Sequence, residues 1–353
     1  FYSGDPLTSI TTLPAGSTCT WDVVHPGTPD TYGWLVGRKG GETTITGAAN
    51  TAALNAAFAM YDTVNVTGNV TVNANITIAE GQTLNVTGDV DVENNFELTV
   101  DGMLTVGGTL TVGGGASGTL NGDGVVTVGD ATRNGTGASV ASSLDITITI
   151  GTYLVANLAM IAQEGTEITL NKGITTNAAN QFYYGADAAS AVSIPSGDVA
   201  TAGTYVKNGN GWLLTGTVDS ITFTTAGIND AAVKAAFENT DKVVLDKQPT
   251  GTITIPSGKT VVMNGSLPAE VNVQGTLELN SANAAFDLRK INGIGDKATV
   301  IFGDSVAKDP SNSGKFYSSK GISVVSYLDL QGETFVNTAD ANGNGDAGFL
   351  AQP

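Results

Sequence analysis

The chain has few of the residues that disulfide-rich or metal-thiolate proteins depend on. Its 353 residues include one cysteine, Cys19, one histidine, His25, and only 7% aromatic residues. A single cysteine excludes an intrachain disulfide and any Cys–Cys metal motif. Cys19 is therefore expected to be a buried or free thiol, or to form an intermolecular bond.

Basic residues are also scarce. The chain has 15 Lys and Arg against 33 Asp and Glu, which gives a net charge of −18. Such a chain repels the phosphates of nucleic acids, and it is equally unsuited to an anionic membrane surface or an acidic polysaccharide. No apolar run reaches the ~18 residues of a membrane-spanning helix. We therefore predict neither nucleic-acid binding nor membrane insertion.

Features of secreted proteins are present. The sequence begins at Phe1 without an initiator Met or an apolar leader, which predicts a processed mature form at the cell surface or outside the cell. Asn-x-Ser/Thr sequons permit glycosylation of a secreted chain. Six of them are present, beginning at Asn65, Asn69, Asn75, Asn85, Asn134 and Asn264.

The remaining composition predicts an all-β fold. Val, Thr and Asn are abundant, Gly numbers 46, and charged residues make up only 14%. Val and Thr favour a pleated surface, while Gly and Asn favour the tight corners between strands. Long helical bundles would need more Leu, Glu, Lys and Arg.

One block of sequence occurs twice. AALNAAFAMYDTVNV at 52–66 aligns with AAVKAAFENTDKVVL at 231–245, and ITIAEGQTLNV at 76–86 aligns with ITIPSGKTVVM at 253–263. Ala-Ala-x-x-Ala-Ala-Phe is apolar on one face of a helix, and the residues that follow alternate between apolar and polar. The duplication predicts two domains, each with a short helix before a series of strands.

The helices are expected at 50–60 and 229–239. Asn or an adjacent residue begins each of them, Asn50 or Thr51 in the first copy and Asn229 or Asp230 in the second. A helix at the head of a stack of coils would cover the unpaired edge of the first coil. The residues predicted to be buried are Leu54, Ala57, Phe58, Val233, Ala236 and Phe237.

Residues 63–128 read as strand after strand. Val, Ile and Leu alternate with Thr, Asn and Asp, and a Gly-x-Leu/Val-x-Val/Leu motif begins at Gly102, Gly108, Gly124 and Gly275. The segments between the strands are too short for crossover helices. We predict parallel β-solenoids with coils of about 20 residues. Antiparallel β-sandwich domains are the alternative, because hairpins produce the same alternation.

The predicted organisation has four parts. An extended, aromatic N-terminal arm with a turn at 25–33 either packs along its own domain or adds a strand to a neighbouring subunit. TYVKNGNGWLL at 204–214 predicts a hairpin in the connector between the solenoids. The predicted boundaries are 1–44 for the arm, 45–176 for solenoid domain 1, 177–220 for the connector and 221–353 for solenoid domain 2.

This organisation resembles the β-solenoid surface proteins of microbes. The two helix-plus-coil blocks and the repeated glycine motif are similar to adhesin-like and pectate-lyase-like right-handed parallel β-helices, and to repeat proteins of cell-surface layers and filaments. The resemblance implies a parallel β-helix fold and a role at the cell surface.

The catalytic patterns of related enzymes are absent. The only histidine, His25, is preceded by Val and not by Gly, whereas polygalacturonase-like enzymes carry Gly-His-Gly. Arg38, Arg133 and Arg289, the candidates for a lyase base, are scattered along the sequence. The glycine-rich segment 108–124 is followed by strands, which argues against a nucleotide-binding loop. We therefore predict that the chain is not an enzyme.

One motif predicts calcium binding. DANGNGD at 340–346 matches the opening of an EF-hand-type loop, with oxygen ligands at alternate positions and a glycine that relaxes the turn. The twelfth position is Ala351, where the family has an acidic ligand, so weak binding is expected. The predicted ligands are Asp340, Asn342, Asn344 and Asp346.

Together these features predict an extracellular structural protein that self-assembles into a surface filament or surface layer. Head-to-tail contacts or donation of residues 1–24 to the next copy would join the subunits into a homopolymer. The alternative is an adhesin or carbohydrate-binding β-helix that contacts surface glycans through exposed aromatic residues, namely Tyr183, Tyr184 and Trp212.

Overall fold

The fold is given by a computed structural model of the chain. It describes backbone and side chains over residues 40–113, 117–132, 138–149, 158–176, 181–280, 290–294 and 298–301, and elsewhere the backbone of strands only. The chain divides into two compact units, Phe1–Lys172 and Gly173–Pro353. The described structure is mostly β, with two helices of eight residues each.

The N-terminal strands form a separate four-stranded sheet with the order β2-β1-β4-β3. Strands β3 and β4 are antiparallel, with His25 paired to Thr31. Strand β1 pairs with both β2 and β4. The strand bounds are β1 Tyr2–Ser3, β2 Thr8–Ser9, β3 Cys19–His25 and β4 Thr31–Val36.

The rest of the first unit is a parallel β-solenoid, as predicted. It contains one helix, α1, and strands β5 to β18. Their bounds are β5 Glu42–Ile45, β6 Ala49–Asn50, α1 Thr51–Phe58, β7 Thr63–Val66, β8 Val70–Val72, β9 Ile76–Ile78, β10 Thr83–Val86, β11 Val90–Val92, β12 Glu97–Val100, β13 Met103–Val112, β14 Thr119–Asn121, β15 Val125–Arg133, β16 Ser139–Val140, β17 Asp145–Ile148 and β18 Glu167–Leu170.

Successive coils of this unit stack strand on strand in three parallel ladders. The first ladder runs β5, β7, β10, β13, β15, β17, β18. The second runs β6, β8, β11 and the C-terminal parts of β13 and β15. The third runs β9, β12, β14, β16. Because all of these pairs are parallel, the antiparallel sandwich is excluded for this solenoid.

The core is a stack of aliphatic side chains. Asn85 and Asn65 occupy equivalent positions in neighbouring coils, 20 residues apart, which is the predicted coil length. Paired positions along the first ladder are 20 to 22 residues apart, so each inward side chain lies over another inward side chain, and each contributes about 1.5–3 kcal/mol through burial. In the first ladder the stack comprises Val64, Leu84, Leu104, Val126, Ile146 and Ile168, all at most 1% exposed.

Glycine is required where neighbouring coils turn closely over one another. A Cβ atom at Gly102 would lie 2.3 Å from the carbonyl oxygen of Gln82 in the preceding coil. In the second unit a Cβ atom at Gly275 would lie 2.3 Å from the carbonyl oxygen of Lys259. The glycines of the repeated motif therefore mark the corners, where the backbone leaves no room for a side chain.

A second corner of the first unit combines glycine with a ladder of Asn and Asp. The backbone N–H of Asp89 donates to Oδ1 of Asn69 at 3.0 Å, and the N–H of Thr109 donates to Oδ1 of Asp89 at 2.8 Å. A Cβ atom at Gly88 would lie 2.2 Å from that Asn69 oxygen. Each corner is therefore fixed by a side chain from the coil before it.

The second unit contains helix α2 and strands β19 to β35. Their bounds are β19 Ile174–Thr175, β20 Phe182–Tyr184, β21 Val192–Ser193, β22 Val199–Ala200, β23 Gly203–Asn208, β24 Gly211–Leu214, β25 Ile221–Phe223, α2 Asp230–Phe237, β26 Lys242–Leu245, β27 Thr252–Ile255, β28 Thr260–Met263, β29 Glu270–Val273, β30 Thr276–Leu279, β31 Ile291–Gly293, β32 Thr299–Phe302, β33 Phe316–Ser318, β34 Tyr327–Asp329 and β35 Phe335–Asn337.

This unit begins with antiparallel pairs and continues as a solenoid. Strands β23 and β24 form the predicted hairpin, and β19 with β22 and β20 with β21 are also antiparallel. Parallel ladders follow, one through β25, β26, β28, β30, β32 and β34 and another through β27, β29 and β31. Together the two units contain about 11 solenoid turns.

Both helices lie where the duplicated block predicts them. Asn50 and Asn229 are the N-caps, and each accepts a hydrogen bond from a backbone N–H three residues later at 3.0 Å. The predicted buried residues are buried, except that Ala57 is half-buried.

Candidate functional site

The first strand of the first solenoid, β5, lies at one end of its ladder. Among the described strands it pairs with β7 alone. The carbonyl of Ile45 accepts a hydrogen bond from the N–H of Thr67 at 3.1 Å. Backbone groups alternate sides along a strand, so the N–H and C=O of Thr44 point away from β7. This edge of β5 has no partner in the described part of the chain.

The inner face of β5 is also less covered than that of the next coil. Thr43 and Ile45 occupy the inward positions, in register with Val64 and Val66, and both are half-buried. Val64 and Val66 themselves are 0% and 1% exposed. The first coil therefore combines an unpaired strand edge with incompletely buried inward side chains, which is the surface on which another strand can add.

Helix α1 follows β6 in the same coil and packs on the second coil. It contacts β6, β7 and β8, and its Leu54 and Phe58 are 0% and 6% exposed. The hydroxyl of Thr51 accepts hydrogen bonds from the N–H groups of Asn73 and Ala74 at 3.0 and 3.3 Å. These bonds join the beginning of the helix to the coil beneath it.

Helix α2 repeats this arrangement in the second unit. It contacts β26 and β27, and it also contacts β20 and β21, which precede it in the chain. Oδ1 of Asp230 accepts a hydrogen bond from the N–H of Thr254 at 2.7 Å. An exposed ion pair joins Asp230 to Lys234, one turn later, at 2.6 Å. Val233 and Phe237 are buried at 0% and 5% exposure.

The last residue of each helix is bound by equivalent side chains. Gln82 donates from Nε2 to the carbonyl of Phe58 at 3.4 Å. Lys259, which aligns with Gln82 in the duplicated block, donates from Nζ to the carbonyl of Phe237 at 2.7 Å. The ammonium also donates to the carbonyl of Thr240 at 3.0 Å. A cation at a helix C-terminus complements the helix dipole.

A pocket of about 350 Å³ lies at this end of α2. Lys259 donates to Oδ1 of Asp241 at 2.6 Å, so three oxygen atoms surround the ammonium. Within the described residues, no group of three or more His, Cys, Asp or Glu is placed to hold a metal ion. The pocket is lined by Thr217, Val218, Asp219, Glu238, Thr240, Asp241 and Lys259.

The outer faces of the ladders carry amide–carboxylate pairs between coils. Nδ2 of Asn65 donates to Oε2 of Glu42 at 3.2 Å, and Nδ2 of Asn85 donates to Oδ1 of Asn65 at 2.9 Å. In the third ladder, Nδ2 of Asn121 donates to Oε1 of Glu97 at 3.0 Å. Asparagine N–H groups thus donate hydrogen bonds to some of the surface carboxylates, without basic residues.

Asp91 lies in the second ladder between Thr71 and Thr111. Partial burial raises the pKa of its carboxyl group, because burial disfavours the charged form. Its Oδ1 is buried and has no hydrogen-bond partner among the described residues.

The beginning of the second unit contains a buried polar cluster that the sequence did not indicate. Asp198 is fully buried, and its Oδ1 accepts hydrogen bonds from the N–H and hydroxyl of Thr224 at 2.8 and 3.1 Å. Oδ2 accepts a hydrogen bond from the hydroxyl of Thr225 at 2.9 Å. The carboxylate therefore binds the segment before β22 to the segment after β25.

Two buried tyrosines lie beside this cluster. The hydroxyl of Tyr205 donates to the carbonyl of Thr201 at 2.8 Å. Burial raises the pKa of Tyr205 well above its usual value, and burial together with the charge of Asp198 raises that of Tyr184. Both hydroxyls are therefore held in the neutral form.

The prediction that Tyr184 and Trp212 are exposed to a sugar ligand is wrong. Their exposed fractions are 1% and 0%. All four residues of β24 are buried, so this strand does not have the solvent-facing side that alternation would give it. Tyr183 is half-buried, and its hydroxyl donates to Oε1 of Gln181 at 2.6 Å.

The predicted calcium ligands lie outside the described residues. The side chains of Cys19 and His25 are also outside the described part, although both residues belong to β3. The predicted calcium ligands are Asp340, Asn342, Asn344 and Asp346.

Comparison with protein-family models, with curated proteins and with solved structures found no match to this chain. In the part of the chain that the structure describes, neither helix has the length and apolar character of a membrane-spanning segment.

Proposed function

We propose that this chain is an extracellular structural protein that assembles head to tail with copies of itself into a surface filament or surface layer. The observation that supports this function best is the unpaired edge of β5. A strand added to that edge would continue the same in-register parallel pairing that joins β5 to β7. Contacts between two different surfaces of identical subunits generate open polymers when the rotation does not close.

A second end strand is available for such a contact. Among the described strands, β34 pairs with β32 alone, so it also has one unpaired edge. We propose that the C-terminal end of one copy pairs with β5 of the next. Donation of residues 1–24 is the other route, but it would have to replace the present pairing of β3 with β4.

The duplicated helices fit this proposal as caps of two solenoid domains. Each lies in the first coil of its ladder and buries a Phe against the coil that follows. In a repeat protein the terminal coils need such cover, because each coil contacts only its neighbours.

Thr44→Pro tests the proposal, because proline removes the one N–H in the middle of β5 that points to the unpaired edge. Proline is tolerated at that side of an edge strand, so the pairing with β7 should persist. Thr44→Val, which keeps the N–H group, is the matched control. By electron microscopy we expect polymers from the wild type and from Thr44→Val, and monomers from Thr44→Pro with an unchanged circular dichroism spectrum.

The results separate the function from the contact. Polymers of Thr44→Pro equal to those of the wild type would exclude pairing at β5. Loss of polymers on deletion of 1–24, with Thr44→Pro unaffected, would identify strand donation as the contact. A wild-type chain that remains monomeric at every concentration would refute self-assembly itself.

A further inference from the structure

The sequons on the strands have amide nitrogens that are already engaged. Nδ2 of Asn65 donates to Glu42 and Nδ2 of Asn85 donates to Asn65, at 3.2 and 2.9 Å. In the second unit, Nδ2 of Asn264 donates to Oδ1 of Asp246 at 2.8 Å. All three asparagines are half-buried. A sugar attached to any of these nitrogens would have to fit between neighbouring coils, beside the oxygen atom to which the nitrogen already donates.

In the two sequons at coil corners, the amide oxygen of the asparagine makes the hydrogen bond and the nitrogen does not. Oδ1 of Asn69 accepts a hydrogen bond from the N–H of Asp89, and Oδ1 of Asn75 accepts one from the N–H of Glu97, both at 3.0 Å. A backbone N–H can only donate, so these bonds fix which branch of the amide is oxygen. The other terminal atom of each amide is therefore Nδ2. In both Asn69 and Asn75, Nδ2 makes no hydrogen bond within the described residues.

Both corner asparagines are exposed. Thr77, the third residue of the Asn75 sequon, is exposed on the outer face of β9. Thr71, the third residue of the Asn69 sequon, is half-buried on the outer face of β8. Each threonine lies between two buried residues of its strand, so its side chain faces the outer surface, where an enzyme that reads the sequon must bind.

We infer that Asn69 and Asn75 are N-glycosylation sites, and that Asn65, Asn85 and Asn264 are not modified in the folded chain. The donor is a lipid pyrophosphate-linked oligosaccharide. Nδ2 forms a bond to C1 of the first sugar, the bond from C1 to the pyrophosphate oxygen breaks, and the amide loses one proton. The sixth sequon, at Asn134, lies outside the described residues.

This inference depends on the proposed function only in that the chain must be exported. Asn69 and Asn75 lie at coil corners, outside the first ladder in which Asn65 and Asn85 stack in register. Attachment of a glycan at these corners does not require assembly.

The test uses the folded, full-length chain with an oligosaccharyltransferase and a lipid-linked oligosaccharide. Sites are read by mass spectrometry after enzymatic deglycosylation in ¹⁸O-water, which marks each occupied Asn as a labelled Asp. We expect labels at Asn69 and Asn75 and none at Asn65, Asn85 or Asn264. Asn75→Gln should lose the mass of one glycan, and Asn85→Gln should lose none.

Synthetic peptides that span each sequon provide the reference, because without the fold all of them should accept the glycan. Labels at Asn65 or Asn85 in the folded chain would overturn the inference. So would unlabelled Asn69 and Asn75 in a folded chain whose peptides are labelled. Neither result depends on whether the chain polymerises, so failure here is distinct from failure of the proposed function.

Discussion

Replacing Lys259 with Met should loosen the end of helix α2. Met retains most of the apolar stem but removes the ammonium group. The carbonyls of Phe237 and Thr240 then lose donors at 2.7 and 3.0 Å. These are charge-assisted bonds, and the Lys259 side chain is only 27% exposed, so solvent replaces them incompletely.

The expected loss of stability is about 2 kcal/mol, because hydrogen bonds to charged groups contribute about 1.5–3 kcal/mol. The ion pair with Asp241 adds little, since Asp241 is 84% exposed. Gln82→Met in the first unit removes a neutral donor to Phe58 at 3.4 Å and the acceptor of the Ala79 N–H at 3.0 Å, and we expect a loss of about 1–2 kcal/mol.

Hydrogen exchange of the α2 amides, read by mass spectrometry, measures the free energy of opening directly at this helix. The matched control is Lys234→Met, which removes an exposed ion pair on the same helix and should cost about 0.3–0.5 kcal/mol. If Lys259→Met opens α2 no more than Lys234→Met does, the ammonium does not hold the helix end and the reasoning is refuted.

Three further predictions concern the corners, the buried tyrosines and calcium. Gly88→Ala should destabilise the first solenoid by about 1–3 kcal/mol in urea unfolding, because the new Cβ overpacks the corner. The loss should be larger than for Gly81→Ala. At Gly81 no atom lies within 4 Å of the new Cβ, and only the positive φ disfavours alanine. The raised pKa values of Tyr184 and Tyr205 leave stability unchanged below about pH 10, where unfolded tyrosine begins to ionise. Above about pH 10 the free energy of unfolding should fall by about 1.4 kcal/mol per pH unit for each tyrosine, because only the unfolded chain ionises. Tyr205→Phe should make that fall shallower in urea titrations between neutral and alkaline pH, and an unchanged slope would contradict the assignment. Calorimetric titration should show weak calcium binding that Asp340→Ala abolishes, and no heat at millimolar calcium would exclude the site.

The sequence was sufficient for the β-solenoid because periodicity and burial coincide. Alternation placed Val64 inward, and the spacing of the repeats placed it under Leu84. Local preference narrowed each N-cap to two residues, Asn50 or Thr51 and Asn229 or Asp230, and the structure has Asn in both places. These features depend on neighbours in sequence or on a fixed repeat, so no knowledge of distant contacts was needed.

The remaining features depend on contacts between segments without a repeat. Asp198 contacts Thr224 and Thr225, which are 26 and 27 residues later in the chain, and no pattern in the sequence predicts these contacts. The burial of Trp212 was missed for the same reason. The alignment of Lys259 with Gln82 in the duplicated block could have indicated an equivalent role. The sequence alone does not show that both side chains bind the end of a helix.

Neighbouring coils keep their strands in register although the coils differ in length, with 16 residues between paired positions in one coil of the second unit and 23 in the next. Residues 83–102 form one complete coil, and without them Met103 would follow Gln82 and take the place of Thr83 beside Thr63. Every side chain would keep its face, and the solenoid would shorten by the ~4.8 Å between neighbouring strands. Loss of one residue within a strand would instead turn the residues that follow it in that strand to the opposite face. A whole coil can therefore be lost or gained without moving any inward side chain to the outer surface.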